Sequence, residues 1–226
     1  MKKLSILLLT VPLILIFIFS CSSDSNPTSP VEENGLTREI NEMVPDSLFD
    51  VLDSLGMPIY RGGNPPNVEA SYLCKPFKLI NSNRDNDNIG SIYADYYVKF
   101  SEQNNEKLTI SMDYENGPEV GTGIGGFIVG DDGSFSVFSK LTVVVYSDTA
   151  YILNLISGKL VDNGIQDYYL ALLMLDNQGN PNGYYINNGD GRVFKDDDGL
   201  ADKIDGFAQL SKETVKELMT VSTVKR

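Results

Sequence analysis

The chain has 226 residues, a formal net charge of −13, two cysteines and no histidine. The length fits one domain with a leader and a linker. The acidic balance argues against nucleic-acid binding and against electrostatic docking on anionic lipid, because both need clustered Lys and Arg. The lack of histidine excludes Ser-His-Asp and Cys-His catalysis and histidine-based zinc sites.

Residues 1–20 read as a signal peptide. Lys2 and Lys3 precede an apolar run, residues 4–19, that is short for a membrane-spanning helix. The sequence Ile18-Phe19-Ser20-Cys21 resembles the lipobox of bacterial lipoproteins, the cleavage site of the lipoprotein signal peptidase. This resemblance implies that Cys21 becomes the N-terminus and carries acyl chains such as palmitate.

The same resemblance predicts a location in the cell envelope. Two or more acyl chains hold a protein firmly on a membrane, so we expect a lipid-anchored domain outside the cytoplasm. Ser22 stands where an aspartate would favour the inner membrane, which implies the outer membrane, on its periplasmic or surface face. Residues 21–35 are rich in Ser, Pro, Asn and Glu and predict a disordered tether.

Residues 36–63 predict an N-terminal helical segment. Leu48, Leu52 and Leu55 fall on one helical face, Asp46 can cap the helix, and Gly56 can end it. A helix this short must be packed to be stable. We expect it to cover one end or one flank of the following domain; a partner-binding helix is the alternative.

Residues 64–226 are dominated by strand patterns. Apolar residues alternate with polar ones at Tyr96, Val98 and Phe100, and again at Ile110 and Met112, which is the period of a strand with one buried face. Residues 131–133, Asp-Asp-Gly, predict a tight hairpin turn. Five glycines in residues 120–130 predict a bend, a bulge or a close approach of another segment.

About eight strands follow one another, counting residues 69–79 as the first and residues 184–194 as an irregular last. Short connections and the lack of helical periodicity between strands predict an all-β fold, an antiparallel up-and-down barrel of about eight strands. A two-layer β-sandwich is the alternative. Residues 212–220 predict a C-terminal amphipathic helix, with Val215, Leu218 and Met219 on one face.

The arrangement of residues 64–220 resembles that of the lipocalins. In that family a Gly-x-Trp motif lies on the first strand, where this chain has Ala70-Ser71-Tyr72, and a helix follows the barrel. The resemblance implies one small apolar or amphipathic ligand held inside the barrel. The candidate cavity residues are Tyr72, Ile92, Tyr96, Ile110, Met112 and Tyr114.

Two acidic loops are candidate calcium sites, because carboxylate oxygens suit calcium. Neither loop has the full EF-hand spacing, and turn residues in an acidic protein explain both without a metal. The candidate ligands are Asp85, Asp87, Asp196, Asp198 and Asp202. No other cofactor is expected. Cys74, left without a partner, is expected to be a buried apolar side chain, with a reactive thiol as the alternative.

Three functions are consistent with these features, and none is enzymatic. The first is a membrane-anchored envelope lipoprotein with a lipocalin-like barrel that binds a small apolar or amphipathic ligand. The second is an envelope protein–protein interaction module, in which the two-sided apolar strands of residues 135–175 meet a partner. The third is a surface lipoprotein that binds glycans through exposed tyrosines. Catalysis is not expected, since only carboxylates and tyrosines are available for it.

Overall fold

The computed structural model describes residues 30–206 of the protein. The predicted signal peptide, Cys21 and the predicted C-terminal helix lie outside the described residues. The described part contains two helices and eleven strands. They are α1 (Arg38–Met43), α2 (Asp46–Ser54), β1 (Ala70–Cys74), β2 (Phe77–Ser82), β3 (Ile92–Tyr93), β4 (Tyr96–Asn104), β5 (Thr109–Asn116), β6 (Glu119–Asp131), β7 (Ser134–Val145), β8 (Asp148–Val161), β9 (Gly164–Asp176), β10 (Gly191–Asp196) and β11 (Leu200–Ile204). The expected all-β fold is confirmed.

All eleven strands belong to one antiparallel sheet, which forks at β9. The first residues of β9 pair with β11, and its later residues pair with β10. Strands β1, β4, β5, β6, β7, β8 and β9 are neighbours in that order. Strand β11 pairs with both β9 and β1, so that these eight strands form a ring. The ring is partial, because the pairing of β9 with β11 covers only residues 164–166 and 200–202. The strands β10, β2 and β3 form a branch outside it.

The strands do not follow one another as simply as the sequence predicts. Residues 69–79, expected to be one strand, form β1 in the ring and β2 in the branch. Pro76 lies between them, and proline has no N–H to continue a ladder. The strand that completes the ring, β11, was not predicted, since apolar and polar residues do not alternate in its sequence, Leu-Ala-Asp-Lys-Ile. The sandwich alternative calls for two sheets, whereas the described strands form one.

The sheet is apolar on both faces, and each face packs separately. Inward side chains form one buried cluster, which includes Tyr72, Val98, Phe100, Ile110, Met112, Ile128, Phe135, Val137, Leu141, Ile152, Ile156, Tyr168 and Leu170. A second cluster lies on the outer face of β7 to β10, where Phe138, Leu153 and Leu173 pack against Leu36 and Leu52 of the N-terminal segment. Burial on both sides explains the nearly continuous apolar runs of these strands.

The two helices therefore cover one flank of the sheet, as the amphipathic pattern predicts. Helix α1 is capped by Thr37, whose Oγ1 accepts a hydrogen bond from the Ile40 N–H at 3.1 Å. The predicted cap of α2 is wrong: Pro45 is the N-cap residue and Asp46 begins the helix. Asp46 still lies in the first turn, where a carboxylate is favourable to the helix dipole. No helix within residues 30–206 has the length and apolar content needed to cross a membrane.

The structure of the β6–β7 turn and of the glycine-rich strand β6 agrees with what the sequence predicts. Asp132 and Gly133 join β6 to β7 with φ of 50° and 80°, the two-residue turn that the Asp-Gly pair predicts. In β6, a Cβ atom at Gly121 would overlap the Tyr114 ring, and one at Gly123 would overlap Leu141. The predicted close approach is confirmed, and it makes room for large side chains inside the ring.

Candidate binding site inside the ring

Four stacked aromatic rings cross the interior between the ring of strands and the branch. Tyr114 on β5 stacks on Tyr96 on β4, Tyr96 on Phe77 on β2, and Phe77 on Phe194 on β10. The centroids of successive rings are 5.0, 4.9 and 4.4 Å apart, with interplanar angles of 29° or less. This aromatic stack gives the interior an apolar wall and holds the branch to the ring through side chains.

The structure brings together five of the six candidate cavity residues. The buried side chains of Tyr72, Tyr96, Ile110, Met112 and Tyr114 all belong to the inward cluster. Ile92 does not join them, since it lies on β3 in the branch and is 56% exposed. The strand is interrupted at residues 94–95, so the alternation that continues through Tyr96 does not extend back to Ile92.

Polar side chains also face this interior. Ser139 on β7 and Asn154 on β8 are directly opposed in the sheet and buried, and Tyr168 on β9 is fully buried. Nδ2 of Asn154 donates a hydrogen bond to the hydroxyl of Tyr96 at 3.1 Å. The Ser139 hydroxyl, Oδ1 of Asn154 and the Tyr168 hydroxyl have no hydrogen-bond partner among the described residues.

Buried polar atoms without partners destabilise a folded protein by about 1–3 kcal/mol each. They are uncommon in native proteins, so each needs a physical explanation. Three of them face the same apolar interior, which makes it the candidate binding site. Ser139, Asn154 and Tyr168 were not predicted as site residues from the sequence. The only sequence feature that could have identified them is a polar group within an otherwise apolar strand.

Burial shifts the pKa values of titratable groups around this interior. The hydroxyl of Tyr114 donates to Oε1 of Glu119 at 2.5 Å, and burial raises the pKa of Glu119. Burial also raises the pKa values of Tyr96, Tyr114 and Tyr168. The phenols therefore act as hydrogen-bonding groups rather than charges, which suits binding of an uncharged polar group.

Cys74 is buried on β1 beside Asp196 on β10. Burial, with the nearby Asp196 carboxylate, raises the pKa of the Cys74 thiol. Since the thiolate is the nucleophile, this environment favours an unreactive cysteine over the reactive alternative. Oδ2 of Asp196 accepts the Lys75 N–H at 2.8 Å, and Oδ1 accepts the Asp198 N–H at 3.2 Å.

The five candidate calcium ligands are not brought together as one group, although Asp196 and Asp198 are neighbours. Asp87 is neutralised by Arg84 and Arg192, and Asp196 accepts the two backbone N–H groups just described. Asp202 lies in strand β11 rather than in a loop; Asp85 and Asp198 are exposed. Within residues 30–206, no group of three or more acidic or cysteine side chains is arranged to hold a metal ion.

An open groove of about 430 Å³ lies where β1, β4 and β11 meet. Its lining includes Ser71, Lys99 and Ile204, and none of the six candidate cavity residues contributes to it. The groove is thus separate from the polar interior.

The Asp196 carboxyl predicts an unusual dependence of stability on pH. Burial and the neighbouring Asp198 raise the pKa of Asp196 to about 6, against 3.8 for an ordinary aspartate. Between these values the unfolded chain ionises first, so the free energy of unfolding should fall as pH rises from about 4 to about 6 and level off above. Urea denaturation across this range, at constant ionic strength, measures the slope.

A matched variant separates Asp196 from the other carboxyls. Asp198→Asn keeps the side-chain oxygen that accepts the Leu200 N–H but removes the charge beside Asp196. We expect a smaller slope between pH 4 and 6 in this variant. Equal slopes in the variant and the wild type would contradict the assignment.

The described residues thus define a class, an antiparallel all-β protein whose partial ring of strands encloses buried, unpartnered polar atoms. Comparisons with protein-family models, with curated proteins and with solved structures found no match to this chain.

Proposed function

We propose that this protein is a membrane-anchored lipoprotein of the bacterial cell envelope whose all-β domain binds one small amphipathic ligand without chemical conversion. The anchor rests on the lipobox-like sequence ending at Cys21. An acylated Cys21 would tether the domain to the outer membrane through the segment that precedes Pro30. The lipocalin-like architecture is part of the same proposal and is supported by the ring of eight antiparallel strands.

The observation that carries the ligand proposal is the set of unpartnered polar atoms inside the ring. Oδ1 of Asn154 is an acceptor, and the hydroxyls of Ser139 and Tyr168 donate or accept. A purely apolar ligand would leave all three unsatisfied. A ligand with a hydroxyl or amide group and an apolar body would satisfy them, while its body packs on the aromatic stack.

The alternative of a protein–protein interaction module has lost its main support. It depends on free apolar faces along residues 135–175, but the outer side chains Leu153, Leu155 and Leu173 pack against the N-terminal segment of the same chain. The apolar pattern of these strands is thereby accounted for within the molecule.

Native mass spectrometry of the full chain, extracted from membranes in mild detergent, tests the ligand proposal. We expect a co-purified small molecule that Asn154→Leu and Tyr168→Phe each reduce. Thr149→Val is the matched control, because it removes another unpartnered buried hydroxyl from β8. Thr149 faces away from the interior, since its neighbour Ala150 faces inward. No co-purified molecule, or equal amounts in all variants, would overturn the proposal.

The anchor is tested separately. Intact mass of the membrane-derived protein should show acyl chains on Cys21, and Cys21→Ser should shift the protein out of the membrane fraction. An unmodified N-terminus would contradict the anchor and leave the ligand proposal to be judged on its own experiment.

Tyr168→Phe also has a predicted effect on the ligand-free protein. Removing a buried hydroxyl without a partner should raise the free energy of unfolding by about 1–2 kcal/mol. Chemical denaturation of the wild type and the variant, after bound lipid and ligand have been removed, measures this difference in free energy. A loss of stability instead would mean that this hydroxyl is satisfied within the protein, and it would remove Tyr168 from the binding site.

A further inference from the structure

Two tyrosine rings are exposed side by side where β7 turns into β8. The side chain of Tyr146 is 65% exposed and that of Tyr184 is 48% exposed. Their ring centroids are 5.3 Å apart and the ring planes are tilted by 59°. We call this pair the tyrosine platform. Single exposed aromatic side chains are common, but two in contact form a contiguous apolar surface of the kind that meets a ligand.

The backbone of Tyr146 is in a conformation that its side chain disfavours. Tyr146 and Ser147 form the two-residue turn between β7 and β8, and Tyr146 has a φ of 53°. Turns of this length favour Asn, Asp or Gly at such positions. The hairpin between β6 and β7 follows that preference, with Asp132 and Gly133 both at positive φ. Among the described residues, Tyr146 is the one aromatic side chain at positive φ. Strain held at an exposed residue indicates a role beyond folding.

Tyr184 is held in place by a loop that is tied to the same turn. Asp148, which follows the turn and is 6% exposed, accepts hydrogen bonds from Nδ2 of Asn182 at 2.6 Å and from its N–H at 3.3 Å. The hydroxyl of Tyr185 donates to the carbonyl oxygen of Asp148 at 2.7 Å. The Asn180 side chain bonds both the N–H and the carbonyl of Tyr185. These hydrogen bonds tie the residues on both sides of Tyr184 to the turn that carries Tyr146, and a backbone fixed in this way lowers the entropy cost of binding.

We infer that the tyrosine platform binds a neutral carbohydrate chain. One face of a sugar ring carries C–H groups that pack on an aromatic ring, and its rim carries hydroxyls that bond phenols and amides. Two tilted rings suit two successive sugars of a twisted chain better than one flat aromatic ligand. The net charge of −13 disfavours acidic polysaccharides and nucleic acid. The surrounding residues 177–190 are rich in Asn and Gly, whereas a protein interface core is typically apolar.

This site is independent of the ligand proposed for the interior. Tyr146 and Tyr184 are exposed, whereas Asn154 and Tyr168 are buried inside the ring. Failure of one proposal leaves the other standing.

Affinity gel electrophoresis of the full chain in detergent, with starch, mannan, β-glucan and xylan, tests the inference, and polygalacturonate is the acidic counterpart. We expect retardation by at least one neutral polysaccharide and none by polygalacturonate. Tyr146→Ala and Tyr184→Ala should each weaken binding about tenfold or more, as loss of a stacking side chain does. Tyr151→Ala, which removes another exposed tyrosine from β8, should bind as the wild type does.

Tyr146→Gly separates binding from folding. Glycine adopts the positive φ of this turn without strain, so the thermal midpoint should stay the same or rise while carbohydrate binding is lost. Binding to none of the four neutral polysaccharides, equal retardation by polygalacturonate, or wild-type binding by both alanine variants would overturn the inference. So would photo-crosslinking from position 184 in intact cells that captures a protein and no glycan.

Discussion

Replacing Asp87 by asparagine should lower the free energy of unfolding by about 3 kcal/mol at neutral pH. The Asp87 side chain is only 5% exposed. Its Oδ2 accepts from Nε of Arg192 and its Oδ1 from NH2 of Arg192, both at 2.7 Å. Oδ1 also accepts from Arg84 at 2.9 Å, and Oδ2 accepts from the Ser82 hydroxyl at 2.7 Å. Asparagine would leave the partly buried guanidinium of Arg192 without its ion-pair partner, and Arg84 would keep only Asp190 among the described residues.

Urea denaturation of the two proteins checks this value, and its pH dependence adds a second test. The hydrogen bonds from Arg192 lower the pKa of Asp87 to about 2, below its ordinary 3.8. This carboxylate therefore contributes stability above about pH 4, and the contribution is lost as pH falls toward 2. The wild type and Asp87→Asn should converge in stability near pH 2. Curves that stay parallel down to pH 2 would show that the charge is not the cause.

Asp197→Asn is the matched control. Asp197 pairs with Lys78 at 3.0 Å, but both side chains are about a third exposed, so its loss should lower stability by less than about 1 kcal/mol. The contrast between the two aspartates also explains the outcome for Asp87 as a calcium candidate. Its negative charge is already used within the protein, to hold residues 82–87 against β10.

Local patterns predicted much of this fold, because they depend on neighbouring residues. The alternation around Tyr96 and Ile110 identifies the inward faces of β4 and β5, and the Asp-Gly turn identifies the β6–β7 hairpin. The closure of the ring depends instead on distant pairing. In strand β11 apolar and polar residues do not alternate, and Ala201 is its one buried residue, so nothing in residues 200–204 alone distinguishes a strand from a loop.

The polar interior was missed for a related reason. Asn154 is flanked by Leu153 and Leu155, and alternation assigns it to the inward face only when the pairing with β7 and β9 is known. The same limit affected Ile92, whose direction follows from the break at residues 94–95 and from pairing with β2. Residue type predicts which side chains can form hydrogen bonds to a ligand. The register of strand pairing decides which of these side chains lie close together.

Replacing Gly121 by alanine should lower the free energy of unfolding by about 3 kcal/mol, because the Tyr114 ring already fills the space beside Gly121. The new Cβ would overlap the ring of Tyr114, which lies across the ladder from Gly121. That ring cannot swing aside without breaking its stacking on Tyr96 and its hydrogen bond to Glu119. Chemical denaturation measures the loss.

Gly63→Ala is the control for glycine substitution in general, since its Cβ would lie 3.5 Å from Pro30, an ordinary contact. We expect it to change the free energy of unfolding by no more than about 0.5 kcal/mol. The double variant Tyr114→Leu with Gly121→Ala identifies the cause. If the clash with the ring is responsible, the double variant should lose less stability than the two single losses added together. Additive losses would mean that Gly121 is needed for the conformation of β6, and that the aromatic stack does not depend on a glycine beneath it.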